Sequence, residues 1–490
     1  MRPLLQEITT GHTPESLVER LRGEPGIVLL RSSLFDSPQA RYSFVTARPF
    51  LTFRSFGSRC EVYVQGTPVQ PHFTDPWRLL ERLMSRFELL EEIDLPFPLG
   101  GCFGFWGYEL KNFVEPKLSR RALNDLDLPD CHVGFYDSLV VFDHQLGKVW
   151  IVSTGLQPDG ARNDQSAHRQ MAFWREMVEV LSPKRAEREE RPARTSQRAV
   201  SGSEVRSNLS RADFVERVER VKGYIRSGDI YQVNLSHRLS VPAPCSGWEL
   251  FQRLAAVSPA PFCAYLDCAG FEIASSSPEL FLRLSGSQIQ TRPIKGTRPR
   301  SADPTRDAQL SYELQTSAKE MAELVMITDL LRNDLGKICE FGGVHVPELV
   351  RLERYAQVQH LVSTVEGRLR PGTTHFSALA SCFPGGSITG APKFRAMEII
   401  DELEPITRGP YTGALGYLGF NRESQLSILI RTGLVKESTA HFHVGAGIVA
   451  DSNPEAEYEE TLAKGRGFLE ALRLPLPVET AISPSTRPVV

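Results

Sequence analysis

Glu279-Leu-Phe-Leu-Arg-Leu-Ser-Gly-Ser-Gln-Ile-Gln-Thr-Arg292 reads as two short strands, 279–284 and 288–292, on either side of a Ser-Gly-Ser break. Working outward, strands are also read at 231–239, 264–266, 426–435 and 439–444. They alternate with three long helical patterns near 307–333, 392–403 and 454–471, the last with Asn453 as cap and Pro454 in its first turn. Ser210-Arg-Ala-Asp213 opens a further helix as a capping box, with Phe214, Val218, Val221 and Ile225 at helical spacing and Gly228 at its end. Towards the N-terminus, short β-rich runs at 26–30, 60–64, 139–142 and 149–152 surround one helical stretch at 77–90. Strands grouped in meanders, with helices between the groups, predict an α+β fold. Two large antiparallel sheets pack as a sandwich with the helices outside.

The chain divides at 183–208, where Pro-Lys-Arg-Ala-Glu-Arg-Glu-Glu-Arg-Pro has almost no large apolar residue to give to a core. That stretch is read as a charged linker between an N-terminal region, 1–182, and a catalytic region, 209–473. Residues 474–490 form a tail. At 490 residues the chain is long enough for one large domain or two. Its 56 Lys+Arg against 59 Asp+Glu leave a net charge of -3, with no cationic excess to neutralise nucleic-acid phosphates. No apolar run approaches the length of a membrane helix, and Met-Arg-Pro-Leu-Leu-Gln-Glu-Ile has no continuous apolar stretch of a secretory signal. A cytoplasmic protein is expected. Its eight cysteines are scattered, lack zinc spacing and are read as reduced thiols. Cys102 sits in Gly-Gly-Cys-Phe-Gly, formally a nucleophile elbow, but the residues that follow read as strand and turn rather than helix. The chain therefore carries no glutaminase.

Several residues can carry chemistry. Glu320 with Glu323, and Glu457 with Glu460, are three apart on two helices, so each pair shares a face. Glu323 stands beside the apolar side of its helix, where a hard cation such as Mg2+ would offset an otherwise costly charge. Lys295 lies at a strand end turning at Gly296, with Arg292, Arg298 and Arg300 nearby as like charges expected to lower its pKa and to attract an anion. A nucleophilic amine needs that help: at a pKa of about 10.4, fewer than one lysine in about a thousand is neutral at pH 7. Pro384-Gly-Gly-Ser-Ile-Thr-Gly-Ala-Pro392 fails as an ATP loop, because Gly390 is followed by Ala391 and Pro392 instead of Lys-Ser/Thr. With Gly445 and Gly447, Lys393 and Arg431, it can still cradle a carboxylate. Glu279 and His360 remain for proton transfer.

The ordered set Pro293-Ile-Lys-Gly-Thr297, Asp329-Leu-Leu-Arg-Asn-Asp-Leu-Gly336, His360-Leu-Val-Ser363, Gly385-Gly-Ser-Ile-Thr-Gly-Ala-Pro-Lys393, Arg395-Ala-Met-Glu-Ile-Ile400 and Gly445-Ala-Gly-Ile-Val-Ala-Asp-Ser452 resembles the chorismate-utilising enzymes over residues 211–472. The front half is similar more loosely, through Leu29-Leu-Arg-Ser, Arg41-Tyr-Ser-Phe44 and Gly107-Tyr-Glu109. Anthranilate synthases resemble Pro-Ile-Ala-Gly-Thr where this chain has Pro-Ile-Lys-Gly-Thr, the form of aminodeoxychorismate synthases. The resemblance implies chorismate as substrate and 4-amino-4-deoxychorismate as product, with Mg2+ between Glu323 and Glu460 supported by Glu320 and Glu457. It implies Lys295 as nucleophile, Glu279 as acid and His360 near the ring. Gly296, Thr297, Arg431, Gly445, Gly447 and Lys464 would then line the substrate. Ammonia would come from a separate glutamine amidotransferase subunit. Leu29-Leu-Arg-Ser lacks the Glu of the anthranilate synthases' tryptophan site, so tryptophan inhibition is not expected. Anthranilate synthase, an isochorismate-type synthase and a chorismate binder without turnover are the competing readings.

Overall fold

The computed structural model describes residues 2–32, 41–90, 95–179, 205–243, 245–355 and 358–474. Most of the charged linker and all but the first residue of the C-terminal tail lie outside them. Two twelve-stranded sheets form the body, and their strand pairs are antiparallel, as expected. The first runs from Leu4–Ile8 through Lys148–Ser153, Ser138–Asp143, Tyr42–Thr46, Val28–Arg31, Phe262–Asp267, Glu272–Ser277, Thr432–Lys436, Thr439–Ile448 and Gln232–Pro242 to Arg206–Ser207. The second runs from Ile294–Pro299 through Val358–Arg368, Gln288–Arg292, Leu280–Ser285, Glu423–Ile428, Ala414–Gly419, Gly101–Trp106, Cys131–Tyr136, Leu51–Phe56 and Arg59–Val64 to Gln70–Phe73. The twelfth strand of each lies off this path, Gly390–Ala391 on Gln232–Pro242 in the first sheet and His345–Arg354 on Val358–Arg368 in the second.

The largest core joins the facing sides of the sheets, with Phe44 and Leu139 of the first meeting Phe53, Phe103 and Phe135 of the second. A second core lies under helices on the outer side of the first sheet, where Leu17, Trp174, Phe251 and Phe468 are buried. Each sheet takes strands from both sides of the linker. Leu29 pairs with Tyr265, and Phe105 pairs with Leu415. The break in composition is therefore not a break between sheets. Arg206–Ser207, within the stretch read as linker, pairs with Ser240 and Leu239 as a short edge strand.

Two expectations change. The helix expected over 307–333 is two, Pro304–Thr316 and Ala318–Gly336. Ser317 between them is extended, and its hydroxyl caps the second helix by accepting from the Glu320 N–H. The strand expected over 426–435 is also two, Glu423–Ile428 in the second sheet and Thr432–Lys436 in the first. Arg431, at φ 51°, sits in the crossing.

The helix opened by Ser210 runs Arg211–Arg226 with the full capping box, and Gly228 follows it at φ 79°. Cys102 is a strand residue in Gly101–Trp106, fully buried, its thiol pushed well above the usual range by burial. All eight cysteines are buried. Among the described residues no helix is long and apolar enough to cross a membrane.

Candidate active site

The chain passes between the sheets at two neighbouring places, and a site residue stands at each. Between Glu272–Ser277 and Leu280–Ser285 it crosses at Pro278-Glu279, and between Glu423–Ile428 and Thr432–Lys436 it crosses through Arg431. The crossings are laced together. The Ile428 N–H donates to the Glu279 carbonyl at 3.1 Å and the Ser276 N–H to the Arg431 carbonyl at 3.0 Å. The Ser277 hydroxyl donates to the Ile428 carbonyl at 2.6 Å. Glu279 is thus buried where the sheets meet, and burial pushes its carboxyl up to about 7. A hydrogen bond from Ser387, the charge of Lys295 and the Ile294 N–H oppose that shift.

Lys295 belongs to Ile294–Pro299, the edge strand of the second sheet, which is irregular between Lys295 and Thr297. Gly296 takes φ 69° there, and a Cβ on it would stand 2.8 Å from Leu314 and 3.1 Å from a Glu320 carboxylate oxygen, so glycine is required beneath the helix. The lysine reaches across to the first sheet: its amine is 3.8 Å from where a Cβ on Gly447 would be. Burial lowers the pKa of Lys295, against the pull of Glu323, Glu279 and Glu460 and with the help of Lys464.

The arginine cluster expected to do this does not. Arg292 is paired with Glu353 at 2.6 Å, Arg298 with Glu320 at 3.4 Å and Arg300 with Asp307 at 2.9 Å, so each positive charge is already matched. Sequence proximity counted three cations; the fold supplies three carboxylates to meet them.

The acidic pairs lie on Ala318–Gly336 and Pro454–Ala471, and Glu323 of the first feels the charge of Glu460 of the second. Burial raises Glu323, with Lys295 and Lys319 opposing and Glu320 and Glu460 adding to the shift. Glu457 is raised by burial and then by Glu460, against its bond to Ser452 and two lysines. For Glu460 burial is outweighed by Lys464, 2.7 Å away, and the carboxyl falls below its ordinary range. Among the described residues no three carboxylate, imidazole or thiol groups are close enough to hold one ion by themselves. The donor chemistry still suits Mg2+. Glu323 is a mostly buried carboxylate whose nearest ammonium, Lys319, is 3.9 Å away, and Mg2+ takes few protein carboxylates and completes its shell with water and substrate oxygens.

The other expected residues gather around these. The Arg431 guanidinium donates to the Lys464 carbonyl at 2.6 Å, and the Lys464 amine donates to the Gly445 carbonyl at 2.9 Å. His360 Nδ1 and the Thr297 hydroxyl are 2.8 Å apart. Burial first, then Arg431, holds the imidazole down at about 4 against the Gly296 backbone, so it is neutral at pH 7.

Two residues went unremarked in the sequence. Ser387 bonds Glu279, and its signal lay in the Gly385-Gly-Ser-Ile-Thr run. Gln232 is 1% exposed and turns its Nε2 towards Gly447, 2.5 Å from where a Cβ would be. Among the described residues its Oε1 has no hydrogen-bond partner. Lys393, expected to help cradle a carboxylate, instead points to Asp334.

An amine, a buried acid and carboxylates from two helices thus gather where the chain crosses between the sheets. The chain belongs to the chorismate-binding enzyme family, whose profile, described as chorismate binding enzyme, matches residues 31–470. It is 40% identical over 462 residues to aminodeoxychorismate synthase component 1 of Escherichia coli (strain K12), covering 94% of this chain and 96% of that one. It is 37% identical over 465 residues to anthranilate synthase component 1 of Acetivibrio thermocellus, covering 94% and 92%. The crystal structure of anthranilate synthase component I from Streptococcus pneumoniae TIGR4 superposes with a TM-score of 0.74 at 29% identity, covering 88% of this chain and 93% of that chain.

Proposed function

We propose that this chain is the chorismate-converting component of an aminodeoxychorismate synthase, and that Lys295 forms a covalent intermediate. The observation that carries the reading is the placement of the Lys295 amine between the sheets, beside Gly447 and within the field of Glu279, with burial disfavouring the charged form of both. A neutral amine and a protonated carboxyl carry the same total of protons as an ion pair. They are the reactive forms of a nucleophile and an acid.

In the proposed sequence the Lys295 amine attacks ring C2 of chorismate. Both conjugated ring double bonds shift one position, and the C4–O bond breaks as Glu279 gives its proton to the departing hydroxyl, releasing water. Ammonia then attacks C4, both double bonds shift back and the C2–N bond to Lys295 breaks, leaving nitrogen at C4. The proton shed by the incoming ammonia restores Glu279. Arg431 and the Gly447 amide hold the enolpyruvyl carboxylate; Gly296, Thr297, Gly445 and Lys464 line the substrate; neutral His360 stands beside the ring. Glu323 and Glu460, supported by Glu320 and Glu457, would hold Mg2+, which would supply positive charge against the substrate's ring carboxylate. Ammonia is drawn from a separate glutamine amidotransferase.

The second reading is anthranilate synthesis, favoured by relatives named anthranilate synthase component 1. Incubating the purified chain with chorismate, Mg2+ and ammonium chloride separates the two by product mass and chromatography. The expected product is 4-amino-4-deoxychorismate. Without ammonia, a chorismate-derived adduct should accumulate on Lys295 and map to its peptide. Lys295→Ala should shift product towards 2-amino isomers; unchanged 4-amino product from that variant would end the covalent route.

A further inference from the structure

Asp334 and Lys393 form a buried ion pair that the proposed chemistry does not use. Asp334 lies near the end of Ala318–Gly336 with its side chain 1% exposed, and Lys393 is the first residue of the helix Lys393–Leu403. A lysine there opposes the positive end of the helix dipole, so local helix stability does not account for it. Its ammonium turns away from the helix and uses all three donors. It binds Asp334 at very short range, the Cys382 carbonyl at 3.1 Å and the Pro384 carbonyl at 2.9 Å. Lys337 donates to the other Asp334 oxygen at 3.0 Å.

The two carbonyls lie just ahead of the turn Gly386–Ile388, which is fastened by the Thr389 hydroxyl donating to the Gly385 carbonyl at 3.0 Å. The turn is also squeezed from two directions. A Cβ on Gly385 would stand 2.6 Å from Ile428, and one on Gly386 would stand 2.6 Å from Leu330 of the Asp334 helix. Ile428 is the residue whose N–H donates to the Glu279 carbonyl. Ser387, at the centre of the turn, bonds the Glu279 side chain.

We propose that Asp334 and Lys393 are positioning residues for the proton donor: the pair sets the depth of the Gly386–Ile388 turn, and with it the hydrogen bond from Ser387 to Glu279. The proposal rests on Glu279 acting as the acid in the function proposed above, whichever amine product forms. The charged groups around the two ends are few. Lys337 and the Cys382 thiol face the pair, and Lys295 faces Glu279. Ser387 favours the carboxylate form of Glu279, so losing its hydrogen bond leaves the acid protonated to higher pH.

The test compares the full-length chain with Ser387→Ala, Lys393→Met, the combined Ser387→Ala/Lys393→Met, and Asp334→Leu/Lys393→Met. The last removes both charges and leaves neither buried alone. Chorismate consumption is followed with Mg2+ and saturating ammonium chloride across pH, with Glu279→Gln as reference. Lys393→Met should lower kcat about tenfold, a part of what a general acid contributes, with KM for chorismate within about twofold, and should move the alkaline limb to higher pH. Ser387→Ala should do the same, and the combined variant should be no slower than either alone, because both act through one hydrogen bond. Losses that multiply in the combined variant would overturn the proposal. So would a lower melting temperature with kcat and the alkaline limb unmoved, or failure of Lys393→Met and Asp334→Leu/Lys393→Met alike to fold, which would assign the pair to stability alone. A Glu279→Gln chain that turns over normally would overturn the acid assignment itself, a distinct result.

Discussion

At the scale of single residues, the proposed chemistry depends on charges made uncomfortable by burial. Glu279 is 5% exposed, and an acid held near 7 is still substantially protonated at neutral pH. Glu279→Gln keeps the shape and removes the proton, so kcat should fall about a hundredfold or more while KM for chorismate stays close to that of the parent, as steady-state kinetics will show. The same burial has a cost in stability. The folded pKa, about 7, lies above the ordinary carboxyl value of about 4.5, so the folded state binds the extra proton and stability declines as pH rises from about 4.5 through 7. Glu279→Gln should therefore melt higher than the parent at pH 8 and show little difference at pH 4.5; a gap that does not grow with pH would contradict the shift. Lys295 and Glu279 were legible from residue type and spacing. The cause of the lysine's depressed pKa was not, because the carboxylates that neutralise Arg292, Arg298 and Arg300 come from other elements.

At the scale of elements, caps and crossings place the site. Ser317 ends one helix and starts the next, so that Glu320 falls in the first turn of Ala318–Gly336 and Glu323 one turn further. Ser317→Ala should cost about 1 kcal/mol of stability, read from the denaturation midpoint, and Ser317→Asp should restore it by capping the same N–H groups. Equal stability of the alanine and aspartate variants would mean that the break is fixed by packing instead. The capping box at Ser210 and the cap at Asn453 were legible because their signal is local. The breaks at Ser317 and Arg431 were not, because an extended serine or a left-handed arginine leaves no mark on apolar periodicity.

At the scale of the molecule, both sheets are woven from both sides of the linker. A fragment of residues 209–473 would expose the edge of Phe262–Asp267 that pairs with Val28–Arg31 and the edge of Ala414–Gly419 that pairs with Gly101–Trp106. It would also uncover the apolar faces that Phe103 and Phe135 cover. Expressed alone, it should aggregate, and co-expression with residues 1–182 should recover soluble complex. A monomeric, cooperatively folded fragment would show that the catalytic region is a domain in its own right.

The sequence by itself determined the fold class, the capped helices, the pairing of carboxylates on helix faces and the residue types proposed to carry the chemistry, since these depend on periodicity and on motifs a few residues long. Only the tertiary structure decided which cations remain unmatched, where the chain changes sheets, and that Ser387 and the Asp334–Lys393 pair stand behind Glu279. Those features join groups far apart in the chain, and burial and Coulomb interactions depend on distance in space.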